Sequence, residues 1–254
     1  MSLDRSLESI ARRDRAITAA GLGALTLLAW LYLVRLRGET ADMADMGMAI
    51  EAWTLHDALM AVVMWAVMMI AMMLPSAAPM ILVFTTINRK RRADAGTTHV
   101  NTALFVAGYL TMWTGFSVAA AAAQWTLQHV ALMAPATMTV GPRVGAALLI
   151  VAAIYQVTPF KYACLARCQT PFGFLMAEWR EGDAGAFLMG VRHGLFCLGC
   201  CWVLMALLFV VGVMNLAWVA VLAGFVLFEK LVTHRSVSWA SAAVLVAGAV
   251  WMIG

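Results

Sequence analysis

The sequence predicts an all-α membrane protein, a polytopic bundle of about seven transmembrane helices. Three observations lead to this fold class. Of the 254 residues, 64% are hydrophobic and 12% are charged, whereas ordinary soluble domains carry about 25% charged residues. Uncharged runs of about 18 or more residues recur along the chain, and each is long enough to cross a bilayer. The alternating apolar and polar strands of a membrane β-barrel are not visible in the sequence.

The apolar runs divide the chain into seven expected spans with short connections between them. They cover residues 17–34, 58–84, 102–123, 144–159, 186–211, 216–231 and 237–253. Arg35 and Arg37 follow the first run where a cleaved signal peptide would have small residues, so we expect a retained span. No Ser- or Gly-rich linker divides the sequence. We therefore expect a single integral membrane domain over residues 1–254, with a motif-bearing core at about 53–235.

The basic residues predict the orientation of the chain. Most of them precede the first span and follow the second, fourth and sixth, which places them on one face if there are seven spans; Arg35, Arg37 and Arg143 are the exceptions. Positive charge marks the cytoplasmic face, so we expect a multi-pass protein of the bacterial inner (cytoplasmic) membrane with a cytoplasmic N-terminus. The net charge of +4 then serves orientation in the lipid bilayer and is no sign of nucleic-acid binding. The residues assigned to this face are Arg5, Arg12, Arg13, Arg15, Arg89, Lys90, Arg91, Arg92, Lys161, Arg167, Arg180, Lys230 and Arg235.

Two of the expected spans are predicted to be broken by proline. Pro75 and Pro79 interrupt the second span, and Pro159 ends the fourth. Proline removes a backbone donor and clashes with the preceding turn, and such breaks persist in membranes where neighbours satisfy the freed carbonyls. Paired broken helices often mark transport sites. A simple kink that improves packing is the alternative.

The second span has a row of methionines that could bind a soft metal. Met60, Met64, Met68 and Met72 recur every four residues, which places them along one side of a helix. Soft thioethers are ligands that Cu(I) accepts, and we select Met64, Met68 and Met72 as candidate ligands. The alternative is that methionine only fills space between packed helices.

The fifth span contains the densest group of candidate ligands. His193, Cys197, Cys200 and Cys201 are three or four residues apart, so they share one face of a helix. Thiolate and imidazole are strong ligands for Cu(I) and for zinc. Buried cysteine can also be a small apolar packing residue, which is the alternative interpretation.

Two further sulfur groups are expected at the two membrane faces. Cys164 and Cys168 form an i, i+4 pair at the cytoplasmic end of the fourth span, where they could pass a metal on or act as a redox pair. Met43, Met46 and Met48 lie in an acidic outer loop and resemble a flexible thioether collector. The sequence thus indicates sulfur ligands at three depths, although a solvated acidic loop would also explain the outer methionines.

Several functions lack their motifs in this sequence. It contains no Gly-rich phosphate loop with Lys-Ser/Thr, no His-Glu-x-x-His and no Gly-x-Ser-x-Gly. These absences argue against an ATP-driven motor, a zinc protease and a serine hydrolase, and we lean against an enzyme. A membrane-embedded metal-dependent or thiol redox enzyme, using Cys197 and Cys200 with Tyr155 and His193, stays an alternative. So does a structural membrane subunit without bound metal.

Three long segments resemble a known bacterial family. They are WAVMMIAMMLPSAAPM at 65–80, YQVTPFKYACLARCQTP at 155–171 and GLFCLGCCWVLMALLFVVGVMNLAW at 194–218, followed by Glu229 and Lys230. In these segments the chain is similar to DUF2182, a domain family of predicted metal-binding integral membrane proteins. The resemblance implies a helical membrane fold and metal binding. It carries over no catalytic residues.

The residue patterns together predict a protein that handles copper. The expected metal ion is Cu(I), with zinc as the alternative. The expected protein partner is one that donates copper or accepts it, and the expected surroundings are the lipid bilayer.

Overall fold

The computed structural model describes residues 2–45, 53–95, 102–134 and 137–254. These residues form ten helices and one antiparallel pair of two-residue strands, which confirms the all-α fold class. The elements in chain order are α1 (Ser2–Asp45), α2 (Leu55–Ala95), α3 (Thr102–His129), β1 (Met133–Ala134), β2 (Thr139–Val140), α4 (Pro142–Gln156), α5 (Pro159–Gln169), α6 (Pro171–Glu178), α7 (Gly182–Ala206), α8 (Leu208–Val211), α9 (Leu216–Leu231) and α10 (Arg235–Ile253).

Five helical segments of the described residues are long and apolar enough to cross a membrane. These are Arg13–Glu39, Leu55–Arg89, Thr102–His129, Gly182–Val211 and Arg235–Ile253. α4 and α5 meet at a bend of 65° and make a sixth if the pair forms one span. α9 has 16 residues and is shorter than the about 18 residues expected of a span. The predicted count of seven, and the orientation that depends on it, are therefore not confirmed.

The two predicted proline breaks have different outcomes. α2 continues through Pro75 and Pro79, so the predicted break there is wrong. Neighbouring side chains supply donors in this region: Ser76 Oγ and Tyr109 OH donate to the Met73 carbonyl at 2.8 and 3.0 Å. The break before Pro159 is confirmed, because α4 ends at Gln156 and Pro159 begins α5.

The connection between α4 and α5 is built by a threonine cap. Thr158 has extended backbone angles, and its side-chain oxygen accepts from the backbone N–H of Lys161 at 3.3 Å. The same hydroxyl donates to the Tyr155 carbonyl at 2.8 Å. Pro159 occupies the first turn of α5, where its missing N–H has no helical partner to lose. The chain therefore turns sharply here, and the Thr158 side chain pairs one backbone N–H and one backbone carbonyl at the bend.

Glycines bring α3 and α7 into direct backbone contact. A Cβ added to Gly108 would collide with the Phe187 carbonyl oxygen, and one added to Gly190 would collide with that of Phe105. A Cβ on Gly194 would lie 2.9 Å from Met112 Cβ. Small residues allow this close approach of membrane helices. The seam fixes α3 beside α7. α2 packs against α3, and α5 packs against α7.

Candidate metal centre

α7 presents four candidate ligands to the interior of the bundle. His193, Cys197, Cys200 and Cys201 are all buried, and Cys197 has no exposed surface. Their spacing of three and four residues places them on one side of the helix, as the sequence predicted. The α3–α7 glycine seam holds this side of α7 against α3, so these ligands face protein and not lipid.

α5 adds its two cysteines to the same place. The Cys168 side chain is buried where α5 packs against α7, near Cys197 and Cys200. A Cβ on Gly199 would lie 2.8 Å from Cys164 Sγ, so Gly199 makes room for that sulfur. All five cysteines are free thiols. The sequence predicts Cys164 and Cys168 as a separate group at the cytoplasmic end; in the structure α5 packs against α7, so this pair lies beside the α7 cysteines.

A lysine and a tyrosine surround the sulfur of Cys197. Lys230 Nζ lies 3.0 Å from Cys197 Sγ and donates to Ser76 Oγ at 2.7 Å. Tyr109 OH lies 3.1 Å from the same sulfur and donates to the Met73 carbonyl. These contacts join α2, α3, α7 and α9 at one point. We call Ser76, Tyr109, Cys164, Cys168, His193, Cys197, Cys200, Cys201 and Lys230 the thiol cluster.

His193 is buried without a hydrogen-bond partner. Its ring is 1% exposed, and neither ring nitrogen has a partner among the described residues. The rings of Phe105, Tyr109 and Phe174 lie around it, with centroids 6.1, 5.4 and 5.6 Å away. Burying an unpaired polar group is costly, and such groups call for an explanation. A metal ion bound to one nitrogen would supply the missing interaction.

The predicted methionine ligands lie inside the bundle beside the thiol cluster. Met64, Met68 and Met72 are buried and belong to the same core as the cysteines. α3 and α9 pack against both α2 and α7, so the link from this row runs through Met73, Tyr109 and Cys197 and not through direct α2–α7 packing.

The outer methionine group falls almost wholly beyond the part of the chain that is described. Met46 and Met48 lie outside the described residues. Met43 is in the last turn of α1, where the structure describes the backbone alone. The predicted outer collector therefore stays a prediction.

The donor set of the thiol cluster fits a soft metal, while its side chains are not arranged as a finished site. Among the described residues, no three His, Cys, Asp or Glu side chains stand in a metal-binding arrangement. Cys200 Sγ and Cys201 Sγ both donate to the Cys197 carbonyl at 3.0 Å. Rotation of the Cys200 and Cys201 side chains would turn their sulfurs away from this carbonyl. Thiols with one imidazole are the donors that Cu(I) and zinc prefer.

A second buried polar group, which sequence reasoning missed, lies on the other side of α9. Lys161 Nζ bonds both carboxylate oxygens of Glu229, at 2.6 and 2.8 Å. Gln156 Nε2 donates to the same carboxylate at 3.3 Å, and Gln156 Oε1 accepts from Lys161 Nζ. Ser238 Oγ lies 3.5 Å away. We call Gln156, Lys161, Glu229 and Ser238 the Lys161–Glu229 network.

Two lysines do not lie where the charge pattern predicted them. Lys161 and Lys230 were assigned to cytoplasmic loops, yet both are buried in the bundle. Each has polar partners on neighbouring helices, which offset the cost of removing an ammonium group from water. Sequence position alone also suggests that Glu229 pairs with Lys230, whereas the two side chains enter different clusters. An ionisable residue within an apolar segment was the available signal.

The fold and the site define a helical protein of membrane type whose interior collects thiols around an unpaired imidazole. Residues 62–252 match the family model described as PpoB2: Copper chaperone. The match covers most of the chain, from within α2 to α10, and the chain belongs to this family. The matched region contains the whole thiol cluster and supports a copper-related function. It does not test the name DUF2182. No curated protein and no solved structure matches the chain.

Proposed function

We propose that the protein is a membrane-embedded copper chaperone that binds Cu(I) in the thiol cluster and delivers it to a partner protein. The observation that carries the proposal is the convergence of α5 and α7. It brings Cys168 beside Cys197 and Cys200, next to the unpaired ring of His193. Membership of the PpoB2 copper chaperone family supports copper as the cargo.

Each predicted ligand has a role in this proposal. Cys168, Cys197, Cys200 and Cys201 are the candidate thiolate donors, of which Cu(I) would take two at a time, and His193 is a candidate imidazole donor. Cys164 lies at the edge of the cluster against Gly199. Thioethers bind Cu(I) more weakly than thiolates, so a thioether row suits transit and a thiol cluster suits retention. The proposed transit row consists of Met64, Met68 and Met72, and the proposed outer collector consists of Met43, Met46 and Met48.

Delivery would proceed by exchange of ligands. Cu(I) accepts few ligands at a time, so it can pass from one sulfur to the next without a free intermediate. The chain contains no phosphate-binding loop that would couple this exchange to ATP. Relative affinity of donor and acceptor would therefore set the direction, and the acceptor would be a protein with its own exposed copper ligands.

We place the protein in the bacterial inner (cytoplasmic) membrane as a multi-pass protein with a cytoplasmic N-terminus. The bent α4–α5 pair would count as one span and α9 as another, which gives seven with the five long helices. At about 1.5 Å per residue, the 16 residues of α9 fall short of a hydrocarbon core of about 30 Å. The polar residues that flank α9 would extend its path, or the bilayer would thin locally.

Metal analysis of the purified protein tests the function. Cu(I) is added under reducing conditions, and bound copper is counted for the wild type and for a Cys197→Ser, Cys200→Ser, Cys201→Ser variant. Because Ser lacks a soft donor, we expect the triple variant to lose most of the copper. Met133→Leu, at a buried sulfur in β1 far from α7 in sequence, is the matched control and should keep it.

The same measurement can contradict the proposal. A folded triple variant that binds as much copper as the wild type would show that these thiols are not ligands. X-ray absorption of the copper-loaded wild type provides a second readout, since sulfur ligation is required.

A further inference from the structure

We infer that Lys230 makes the thiol cluster selective for monovalent soft cations, Cu(I) and Ag(I), over divalent Zn(II). This inference rests on the proposed function and names the charge of the ion that the site accepts. Its basis is the position of one buried ammonium group beside the sulfur of Cys197.

Lys230 has no carboxylate partner in the part of the chain that is described. Its Nζ contacts Ser76 Oγ at 2.7 Å and Cys197 Sγ at 3.0 Å. The neighbouring carboxylate of Glu229 bonds Lys161 through both oxygens, and no described carboxylate forms an ion pair with Lys230. A buried cation without a counter-charge is costly. The cluster therefore lacks one negative charge when all its thiols are protonated.

Charge counting shows which ion restores the balance. Cu(I) or Ag(I) held by two thiolates carries one net negative charge, which the ammonium of Lys230 neutralises. Zn(II) held by the same two thiolates is neutral, so the charge of Lys230 would stay unbalanced. Coulomb interactions are strong in a low-dielectric interior, and the lysine accordingly favours the monovalent ion.

The arrangement of the thiols favours two ligands over more. Cys168 of α5 lies near Cys197 of α7, where these two helices pack together. Cys200 and Cys201 instead donate to the Cys197 carbonyl, which uses their hydrogens in bonds within α7. Zinc in structural sites takes four ligands, which would require all of these thiols to turn. Cu(I) and Ag(I) need two ligands, which Cys168 and Cys197 can supply.

Competition titrations with the full-length purified protein test the inference. Affinities for Cu(I), Ag(I) and Zn(II) are measured against chromophoric chelators for the wild type, Lys230→Met and Lys230→Arg. We expect Lys230→Met to lower the Cu(I)-to-Zn(II) affinity ratio by about tenfold or more, which is about 1.4 kcal/mol. The Ag(I) ratio should fall with it, and Lys230→Arg should retain most of both because it keeps the charge.

A second buried lysine provides the control. The double variant Lys161→Met, Glu229→Gln removes a buried ammonium together with its carboxylate, and it should leave both ratios unchanged. Circular dichroism and gel filtration establish that each variant is folded, and Lys230→Gln replaces Lys230→Met if the latter is not.

The possible results separate the inference from the proposed function. A wild type that binds no monovalent ion overturns both. A wild type that binds Cu(I), with an unchanged ratio in folded Lys230→Met, overturns the role of Lys230 alone. A ratio that changes for Cu(I) but not for Ag(I), or that changes equally in the control, also overturns it, since charge would not be the cause.

Discussion

Two polar clusters lie on either side of α9, and they begin from adjacent residues. Glu229 enters the Lys161–Glu229 network, where a carboxylate, an ammonium, an amide and a hydroxyl satisfy one another. Lys230 enters the thiol cluster, where a cation has no counter-charge and His193 has no hydrogen bond in the described part of the chain. A buried network that is complete holds a fold together. A buried cluster with unpaired polar groups is suited to bind a ligand, here the proposed metal ion.

Loss of one partner in the complete network should have the largest effect on stability. Lys161→Met leaves the Glu229 carboxylate buried beside only Gln156 and Ser238. Removing one member of a buried ion pair costs about 3–5 kcal/mol, and we expect a corresponding fall in the midpoint of thermal unfolding in detergent. Circular dichroism measures it. The double variant with Glu229→Gln should recover most of the loss, and a single variant as stable as the wild type would contradict the comparison.

The incomplete cluster should respond to mutation in the opposite way. His193→Phe removes two unpaired nitrogens from a site already surrounded by aromatic rings. We expect unfolding free energy to stay within about 1.5 kcal/mol of wild type, since the swap is roughly volume-conserving. Bound copper should fall several-fold because an imidazole donor is lost. Phe105→Leu alters the same ring stack without removing a donor, so it should keep its copper; a large loss of stability in His193→Phe would reveal a structural histidine.

The smallest expected effect is at Tyr109 of α3, which links α2 to α7. Tyr109→Phe removes the donor to the Met73 carbonyl and the oxygen beside Cys197 Sγ. A neutral hydrogen bond contributes about 1 kcal/mol, so a modest fall in thermal stability is expected. The neighbouring Thr111→Val, which loses only a bond to its own helix, should change less. Equal effects would show that Tyr109 does not couple the two helices.

The sequence was sufficient for the helical elements because their signal is local. Residues 216–231 were expected to be helical and are α9, and the glycines at 190 and 194 do pack closely against α3. Apolar runs and small-residue spacing depend on neighbours along the chain. The shared face of His193, Cys197 and Cys200 follows from helical periodicity in the same way.

The joining of α5 to α7 could not be predicted in that way. It depends on a 65° bend, and on Gly199 leaving space for Cys164, a contact between residues 35 positions apart. The contacts of Lys230 could not be predicted either. Glu229 is its neighbour in sequence and looks like its ion-pair partner, but it pairs with Lys161 instead. The bond from Tyr109 OH to the Met73 carbonyl, which joins α3 to α2, was likewise not visible in the sequence.

The glycine seam between α3 and α7 limits where an ion can come in. Backbone touches backbone there at Gly108 and Gly190, and two helices in such contact cannot slide apart without losing their whole interface. The opposite wall of the thiol cluster is α5, an 11-residue helix attached through a bend. A metal bound as proposed would therefore enter and leave on the α5 side, where this short helix covers the cluster.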